Sequence, residues 1–405
     1  TVCLASPLRD VYKRQGIGII NSVGENKNEF SDNFFKGLSG VKPTKNSDIN
    51  AGDILFVGNI LGNISNRINK RLAKQSDRFI HLALIAAKEA IEDRKCITEY
   101  SPHEKGIFFG NNSGGWDICE KGFFEFFLDD PKLVNPYQAT AWFPTAPQGF
   151  TSITYKFKGY SKSFVADRLS DAQALYFANK CIKKKKNSLI LFGGVESPIT
   201  TFGLQCYYGV GNLSSVTSIK DAYLPFKGKK NDGLVLGEGS AVLTLESAEN
   251  IDDDDIYAYL LDIRYIDISE NKITLVNTIT KMLKKLKLRS SDIDVIVPEG
   301  SSIVEEDYFE IESLKKIFSK NTPIAVTKHY FGHLFGAAKA TDAAISILSM
   351  KRSELPPHFM LGESFSDYKI RKNTKKDINY ILNISISKDK ECIISLFRKG
   401  GRCND

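Results

Sequence analysis

The stretch "KSFVADRLSDAQAL", Lys162–Leu175, predicts the end of a buried strand, a sharp turn and a helix. Residues 164–166 are apolar and suit the strand end, and Asp167 is a typical N-cap residue. Apolar residues then recur at the spacing of one helix face, at Leu169, Ala172 and Leu175. A helix N-terminus favours negative charge, yet its first turn carries Arg168. The stretch therefore raises the question of which group balances this cation.

Strand-like and helix-like segments alternate on both sides of this stretch, which indicates an α/β fold with a mainly parallel sheet. The segment Ser76–Arg94 is apolar almost all round, so it predicts a helix buried on more than one side. Buried strands are predicted at Asn187–Ser197 and Gly239–Ser247. The acidic loop 250–255 follows, and the second half then repeats the strand–helix scheme. This repetition suggests an internally duplicated fold with its boundary near residue 250.

The composition is that of a globular protein and excludes several functional classes. The chain has 405 residues, of which 42% are hydrophobic, so it can build a core in two halves. Its net charge of +7 is mild and spread out, which argues against a nucleic-acid-binding protein. The seven cysteines are scattered without a C-x-x-C pair, which disfavours zinc and disulfide frameworks and fits the cytoplasm. No apolar run approaches the ~18 residues of a membrane span.

Residues 1–15, "TVCLASPLRDVYKRQ", show no periodicity and look like translated linker sequence, so we interpret them as a non-native leader. The resulting division is a leader at 1–15, an N-terminal half at 16–249 and a C-terminal half at 250–400.

Four motifs follow one another in an order that carries a family resemblance. They are "GIGIINSVGENKNEFSDNFFKGLSGVKP" from Gly16, the pair "GGVES" and "GNLSS", "LPFKGKKNDGLVLGEGSAVLTLE" at Leu224–Glu246, and "VTKHYFGHLFGAAKATDA" at Val326–Ala343. Together they resemble the β-ketoacyl synthases of the thiolase fold, an acyltransferase family of fatty acid and polyketide biosynthesis. The resemblance implies two pseudo-symmetric halves in a five-layered α-β-α-β-α arrangement, with no cofactor and no metal.

The resemblance also locates the family's catalytic positions. Active members have a cysteine nucleophile where this chain has Arg168, and a histidine where "EGSSI" places Glu299. Further matching positions are the D-x-x-E pair and the lysine and second histidine of the family, at Asp307, Glu310, Lys328 and His333. The glycine-rich loop that gates the acyl pocket in the family corresponds to "NISISKDK", Asn383–Lys390, which has no glycine.

These differences bear directly on the chemistry. Decarboxylative condensation requires a thiolate to hold the acyl chain and neutral histidines to stabilise an enolate. Arginine stays protonated and cannot be a nucleophile, and the carboxylate of Glu299 would repel the enolate. The chain thus resembles the chain-length factors, or ketosynthase β subunits, of type II polyketide and aryl-polyene systems. That resemblance implies a heterodimer with an active ketosynthase and an acyl carrier protein as a further partner. It also implies that this chain shapes the pocket in which the polyketide grows.

Two other functions remain open. One is residual activity through His333, such as malonyl-carrier decarboxylation or acyl transfer, and the other is a homodimeric thiolase-fold binding protein. His333 itself suits a packed core histidine as well as a catalytic one. The lysines 183–186, with Lys227, Lys229 and Lys230, suit an acidic carrier-protein site, although a solvated face explains them better.

Three contacts are expected from this reading. Arg168 and Glu299 should form a salt bridge that fills the site, with Asp167 as a competing partner, because either charge alone would be buried without compensation. Lys328 and Glu310 should form a structural ion pair. The strand within "FKGYSKSFVA", residues 157–166, should lie at the sheet edge and pair across a subunit interface.

Overall fold

The structure is a computed structural model that describes residues 12–13, 16–44, 55–94, 99–211, 213–214, 218–219, 222–226, 233–247, 256–269, 273–360, 368–370 and 375–401. The strands are β1 (Tyr12–Lys13), β2 (Ile17–Asn21), β3 (Lys42–Thr44), β4 (Leu55–Gly58), β5 (Lys105–Gly110), β6 (Lys162–Phe164), β7 (Leu189–Glu196), β8 (Leu236–Gly237), β9 (Gly239–Ser247), β10 (Ala258–Asp267), β11 (Val295–Val297), β12 (Ile324–Ala325), β13 (His358–Met360), β14 (Tyr368–Ile370), β15 (Tyr380–Ile386) and β16 (Glu391–Lys399). The helices are α1 (Lys27–Phe35), α2 (Lys70–Lys74), α3 (Arg78–Asp93), α4 (Trp116–Leu128), α5 (Gln138–Ala141), α6 (Ala146–Tyr155), α7 (Ser170–Lys183), α8 (Thr201–Gly209), α9 (Ile273–Lys285), α10 (Val304–Lys315) and α11 (Ala338–Arg352).

The two halves of the chain build sheets of the same topology. The N-terminal strands lie in the order β6-β5-β7-β9-β2, and the C-terminal strands in the order β12-β11-β15-β16-β10. In the first sheet β5 is parallel to β6 and β7, whereas β9 is antiparallel to β7 and β2. In the second, β11 is parallel to β12 and β15, whereas β16 is antiparallel to β15 and β10. The matching order and directions are those of an internally duplicated fold.

A short strand joins the two sheets. The backbone of β1 pairs with β9 on one side and with β10 on the other. Tyr12 and Lys13 are thus part of the sheet, although they fall in the segment interpreted as a leader. The other residues of that segment, 1–11 and 14–15, lie outside the described ranges. The expected boundary at residue 250 also lies outside the described residues.

Helices separate and cover the sheets in five layers, as the sequence predicted. The middle layer is α7 and α11, whose buried residues form one core with the facing sides of both sheets, including Leu175, Ile347, Phe192 and Phe397. Helices α3 and α6 pack on the outer face of the first sheet, and α9 and α10 on the outer face of the second. Each buried large aliphatic or aromatic side chain in these layers contributes about 1.5–3 kcal/mol.

The long helix α3 confirms the prediction of an element buried on several sides. Asp77 caps it, because its carboxylate accepts the Phe79 N–H at 2.9 Å. Residues 79–87 are all buried between the sheet and the outer helix α6. No described helix combines the length and the apolar character needed to cross a membrane.

The opening stretch differs from its prediction in two respects. Strand β6 ends at Phe164 and is the edge strand of its sheet, so Val165 is 57% exposed and the strand end is not buried. Asp167 does not cap α7; it begins a 3₁₀ turn, Asp167–Leu169, and the helix starts at Ser170. The apolar helix face is as predicted, since Leu169, Ala172 and Leu175 are fully buried.

Candidate functional site

The turn between β6 and α7 directs Arg168 into the protein. Asp167 has a φ of 50°, a left-handed conformation that is uncommon for residues other than glycine. The Ser170 hydroxyl holds the turn, since it accepts the Ala166 N–H at 2.9 Å and donates to the Asp167 carbonyl at 2.8 Å. Gly110 lets β5 approach closely, because a Cβ there would lie 2.2 Å from the Asp171 nitrogen. As a result Arg168 is only 2% exposed.

Arg168 pairs with Glu306, a residue of α10. Its two terminal nitrogens lie 2.5 and 3.4 Å from the Glu306 carboxylate oxygens, and its Nε lies 3.9 Å from Asp167. Burial favours a lower pKa for Arg168, but the bond to Glu306 outweighs it and raises the pKa, so the guanidinium stays charged. The expected salt bridge between Arg168 and Glu299 is wrong, because α10 brings another carboxylate to the turn.

Glu299 is already held by other groups. One carboxylate oxygen lies 2.7 Å from His333 Nε2 and 4.0 Å from Lys328 Nζ, and the other accepts the Ile386 N–H at 3.2 Å. Burial favours a higher pKa for Glu299, but the charge of Lys328 and the His333 bond lower it to about 2. Arg168 adds a longer-range attraction to Glu299. The three positions predicted to converge thus influence one another, but only Glu299 and His333 are in contact.

His333 is fully buried and its hydrogen-bonding groups are both engaged. Its Nδ1 accepts the Phe335 N–H at 3.0 Å, so the proton of the neutral ring lies on Nε2 and is donated to Glu299. Burial lowers the pKa of His333, which keeps the ring neutral despite the attraction of Glu299. The one donor that this imidazole offers is therefore used inside the protein.

Lys328 and Glu310 do not form the expected ion pair. Lys328 donates to the Glu299 carbonyl at 2.7 Å and to Asp342 at 3.3 Å. The Glu310 carboxylate accepts the N–H groups of Glu299 and Gly300, at 2.8 and 3.0 Å. The two side chains hold the segment 299–300 separately, one through a carbonyl and the other through amides. Burial raises the pKa of Glu310 to about 8.

Asp307 supports the neighbouring segment from the same helix as Glu306 and Glu310. Its carboxylate accepts the N–H groups of Phe226 and Ser302, at 2.7 and 3.2 Å. Both of these residues have positive φ values, 67° and 64°, so the acceptor stabilises backbone that L-residues rarely adopt. The D-x-x-E pair thus acts on the backbone of the site.

The segment that matches the gating loop is a tight hairpin. Strand β15 extends to Ile386, a short turn follows, and β16 begins at Glu391. The cavity bounded by Phe226, Glu299 and Lys328 has a volume of about 10 Å³. This is about the space of one water molecule and is too small for an acyl group.

The arrangement offers charge balance and no activated nucleophile. Arg168 remains protonated, and His333 donates to a carboxylate. Among the cysteines in the described ranges, Cys181 lies at the far end of α7, Cys392 lies on β16, and Cys119 and Cys206 lie on α4 and α8, so none is at the turn. Glu306 was missed in the sequence because nothing distinguishes it from its neighbour Glu305.

Comparisons with known proteins agree with this fold. The model of the β-ketoacyl synthase N-terminal domain matches residues 15–250, and the C-terminal domain model matches residues 264–361. A Staphylococcus aureus 3-oxoacyl-[acyl-carrier-protein] synthase 2 is 25% identical over 95% of this chain and 97% of its own length. The Streptomyces coelicolor actinorhodin polyketide putative beta-ketoacyl synthase 2 is 27% identical over 84% of this chain and 86% of its own.

Two solved structures share the fold at low identity. One is a type II polyketide acyl-carrier protein in complex with its ketosynthase, with a TM-score of 0.82, 20% identity and coverage of 96% of this chain and 100% of that chain. The other is a ketosynthase in complex with its chain length factor from Xenorhabdus doucetiae, with a TM-score of 0.80, 16% identity and coverage of 98% and 99%. With both domain models matched over most of its length, the chain belongs to the β-ketoacyl synthase family.

Proposed function

We propose that this chain is a non-condensing, chain-length-factor-like subunit that pairs with an active ketosynthase. The observation that carries the proposal is the ion pair between Arg168 and Glu306. It occupies the strand-to-helix turn that holds the cysteine nucleophile in active family members. A protonated guanidinium there cannot form a thioester, so the acyl chain must be held by another subunit.

The contact between Glu299 and His333 supports the same conclusion. In an active member two neutral histidines stabilise the enolate. Here Glu299, with a pKa of about 2, stands at one of these positions and accepts the Nε2–H hydrogen bond of His333 at the other. Because His333 is fully buried and bonded, this geometry opposes residual decarboxylation or acyl transfer. The chain would therefore contribute one wall of a pocket that it shares with the ketosynthase.

Surface features supply candidate interfaces. Strand β6 leaves one edge of its sheet open, and open edges favour pairing with another chain. Helix α4 exposes large apolar side chains, which are Phe123, Phe124, Phe126, Phe127 and Leu128. Apolar surface of this kind is typical of protein–protein contacts. A ketosynthase of the same fold is the partner we infer, since such pairs occur among structures of this fold.

The proposed setting follows from the relatives. The chain would work in the cytoplasm, in fatty acid or polyketide biosynthesis, with an acyl carrier protein delivering substrate to the pair. The complex of a carrier protein with its ketosynthase, and the polyketide relative, support this assignment.

Co-expression tests the proposal. The tagged chain should co-purify with a ketosynthase that retains its cysteine and is encoded next to it, and native mass spectrometry should show one copy of each. A stable homodimer that excludes the ketosynthase would favour the homodimeric binding protein. Decarboxylation of malonyl-carrier protein by the isolated chain would favour the residual enzyme.

A further inference from the structure

A group of lysine and aromatic side chains lies beside the open edge of β6. The Nζ atoms of Lys186 and Lys162 lie 4.8 and 5.7 Å from the centre of the Tyr160 ring. The Nζ atoms of Lys180 and Lys162 lie 5.8 and 5.9 Å from the centre of the Phe177 ring. Three cations thus share two rings, and we call these five residues the lysine–aromatic cluster.

The positive charge of this cluster is not compensated within the described part of the chain. Its three lysines are exposed, and none of them forms an ion pair with a described carboxylate. A contact with an aromatic face attracts an ammonium but leaves its net charge in place. The segments 151–166 and 172–188 around the cluster hold eight lysines and no acidic residue. Of the two aspartates between these segments, Asp167 lies 3.9 Å from Arg168 and Asp171 is fully buried.

The strand itself places the cluster at the edge of the sheet. Side chains alternate along a strand, so Lys162 and Phe164 project to the same face, where Phe164 stacks on Phe177 of α7 at 5.3 Å. Strand β6 pairs with β5 on one side and with no described strand on the other. Tyr160 and Val165, which flank β6, are 43% and 57% exposed. The edge therefore combines a free backbone, apolar side chains and cations.

A second copy of this chain would meet its own cations at this edge. Identical subunits pair most often about a two-fold axis, which brings the same surface of both copies into contact. An axis near Lys162 or Ser163 places the two Lys162 residues directly opposite or diagonal to each other, about 4.5–8 Å apart. Like charges at this separation are destabilising, because it is shorter than the Debye length of about 10 Å at 0.1 M salt. The cluster therefore opposes a pair of identical chains.

We propose that the lysine–aromatic cluster selects the subunit that pairs with β6. It excludes a second copy of this chain, and it requires a partner strand that is flanked by carboxylates. This inference rests on the proposed pairing with a ketosynthase and names the chemistry of the partner's contact surface. Carboxylates there would pair with ammonium groups whose positions the two rings already restrict, so that less side-chain freedom is lost on binding.

The free backbone of β6 is the reason to assign the cluster to a strand-bearing subunit. An added strand gains affinity from main-chain hydrogen bonds along the edge, and neighbouring side chains supply the specificity. An acidic protein that docks through its helices could neutralise the lysines, but it would leave the edge of β6 unpaired.

Mixing experiments on this chain alone test the selection. The double variant Lys162→Glu/Lys186→Glu, mixed with the wild-type chain, should form a dimer at least about tenfold tighter than wild type forms with itself. Sedimentation equilibrium at about 0.1 M and about 1 M NaCl should show that the mixed dimer weakens with salt, because the Debye length falls from about 10 to about 3 Å. Self-association of the wild-type chain should instead become stronger with salt, since its repulsion is screened.

The matched control changes the net charge equally at a distance from β6. Lys284→Glu/Lys316→Glu replaces two exposed lysines, on α9 and at the end of α10, that form no ion pair with a described carboxylate. Mixed with wild type, this control should change the dimer affinity less than about twofold.

The ketosynthase complex provides the second measurement. Lys162→Glu/Lys186→Glu should weaken pairing with the ketosynthase at least about tenfold without lowering the melting temperature of the chain, and the control should retain pairing. Failure of the wild-type chain to pair with any ketosynthase contradicts the proposed function. Normal pairing that ignores Lys162→Glu/Lys186→Glu contradicts this inference alone.

Three further results would overturn the inference. The first is a mixed dimer no tighter than the wild-type homodimer. The second is an equal gain in the control mixture, which would show a general charge effect. The third is loss of acyl-carrier-protein binding in Lys162→Glu/Lys186→Glu while ketosynthase pairing is unchanged, which would assign the cluster to the carrier protein.

Discussion

Arg168 and Glu306 form an ion pair between the turn before α7 and the first turn of α10, with the two nearest atoms 2.5 Å apart. Arg168 is buried, whereas the Glu306 side chain is 27% exposed. The pair connects the turn to α10, and we propose that it fills the family's nucleophile position from the solvent side. Glu299, the partner expected from the sequence, belongs to a second cluster with His333 and Lys328.

Removing the carboxylate should cost more than removing the cation. Glu306→Gln removes the nearest counter-charge of the buried Arg168 and leaves Asp167 at 3.9 Å and the longer-range attraction of Glu299, so we expect the free energy of unfolding to fall by about 1–3 kcal/mol. Arg168→Met leaves Glu306 in contact with water and should change the free energy of unfolding by less than about 1 kcal/mol. Urea denaturation of both variants measures this. Equal losses in the two would contradict the asymmetry.

Restoring a thiol alone should not restore condensation. In Arg168→Cys the carboxylate of Glu299 still occupies His333 and still opposes an enolate. We expect no condensation product from acyl- and malonyl-carrier protein, while alkylation by iodoacetamide verifies that the new thiol is reachable. Condensation by this single variant would contradict the assignment of Glu299.

Glu310 should make stability decrease with rising pH. Its pKa in the folded protein is raised by burial to about 8, from 4.5, so the folded state holds the proton more tightly than the unfolded state. The stabilisation is complete below about pH 4.5 and is lost as the pH rises through about 8. Between pH 5 and 8 wild type should lose about 1–3 kcal/mol more than Glu310→Gln. Parallel pH profiles of the two proteins would refute this.

The exposed sheet edge at β6 should contribute to pairing with the ketosynthase and not to the stability of the chain. Val165→Asp, just after β6, should weaken pairing with the ketosynthase at least about tenfold and leave the melting temperature unchanged, since the side chain is mostly exposed. Ile273→Asp, an equally exposed apolar position at the start of α9, is the control and should retain pairing. Analytical ultracentrifugation of mixtures measures both, and an unaffected Val165→Asp complex would remove β6 from the interface.

The sequence was sufficient to predict most of the fold. Periodicity located α3, β7 and β9, and the family resemblance carried by the four motifs implied the five layers. It also brought Glu299 and His333 together, because both lie in segments that the resemblance assigns to one site. The left-handed turn at Asp167 was not predicted, because aspartate adopts this conformation far less often than glycine and the residue also suited an N-cap.

The partner choices within the site were beyond sequence reasoning. Whether Arg168 contacts Glu299 or Glu306 depends on how α10 packs against the turn, and 138 residues separate Arg168 from its actual partner. The pairing of Lys328 with Glu310 failed for a similar reason, because the backbone of residues 299–300 lies between their bonding groups. Which of several buried charges form pairs depends on how distant segments of the chain pack together.

The most direct test of the account is a condensation assay on the reconstituted pair. The chain alone, a ketosynthase that retains its cysteine and pairs with it, and their complex are each given acyl- and malonyl-carrier protein, and the products are followed by mass spectrometry. We expect the complex to elongate chains, Arg168→Met in this chain to retain that activity, and replacement of the ketosynthase cysteine by alanine to abolish it. Elongation by this chain alone, or by a complex whose ketosynthase lacks its cysteine, would contradict the account.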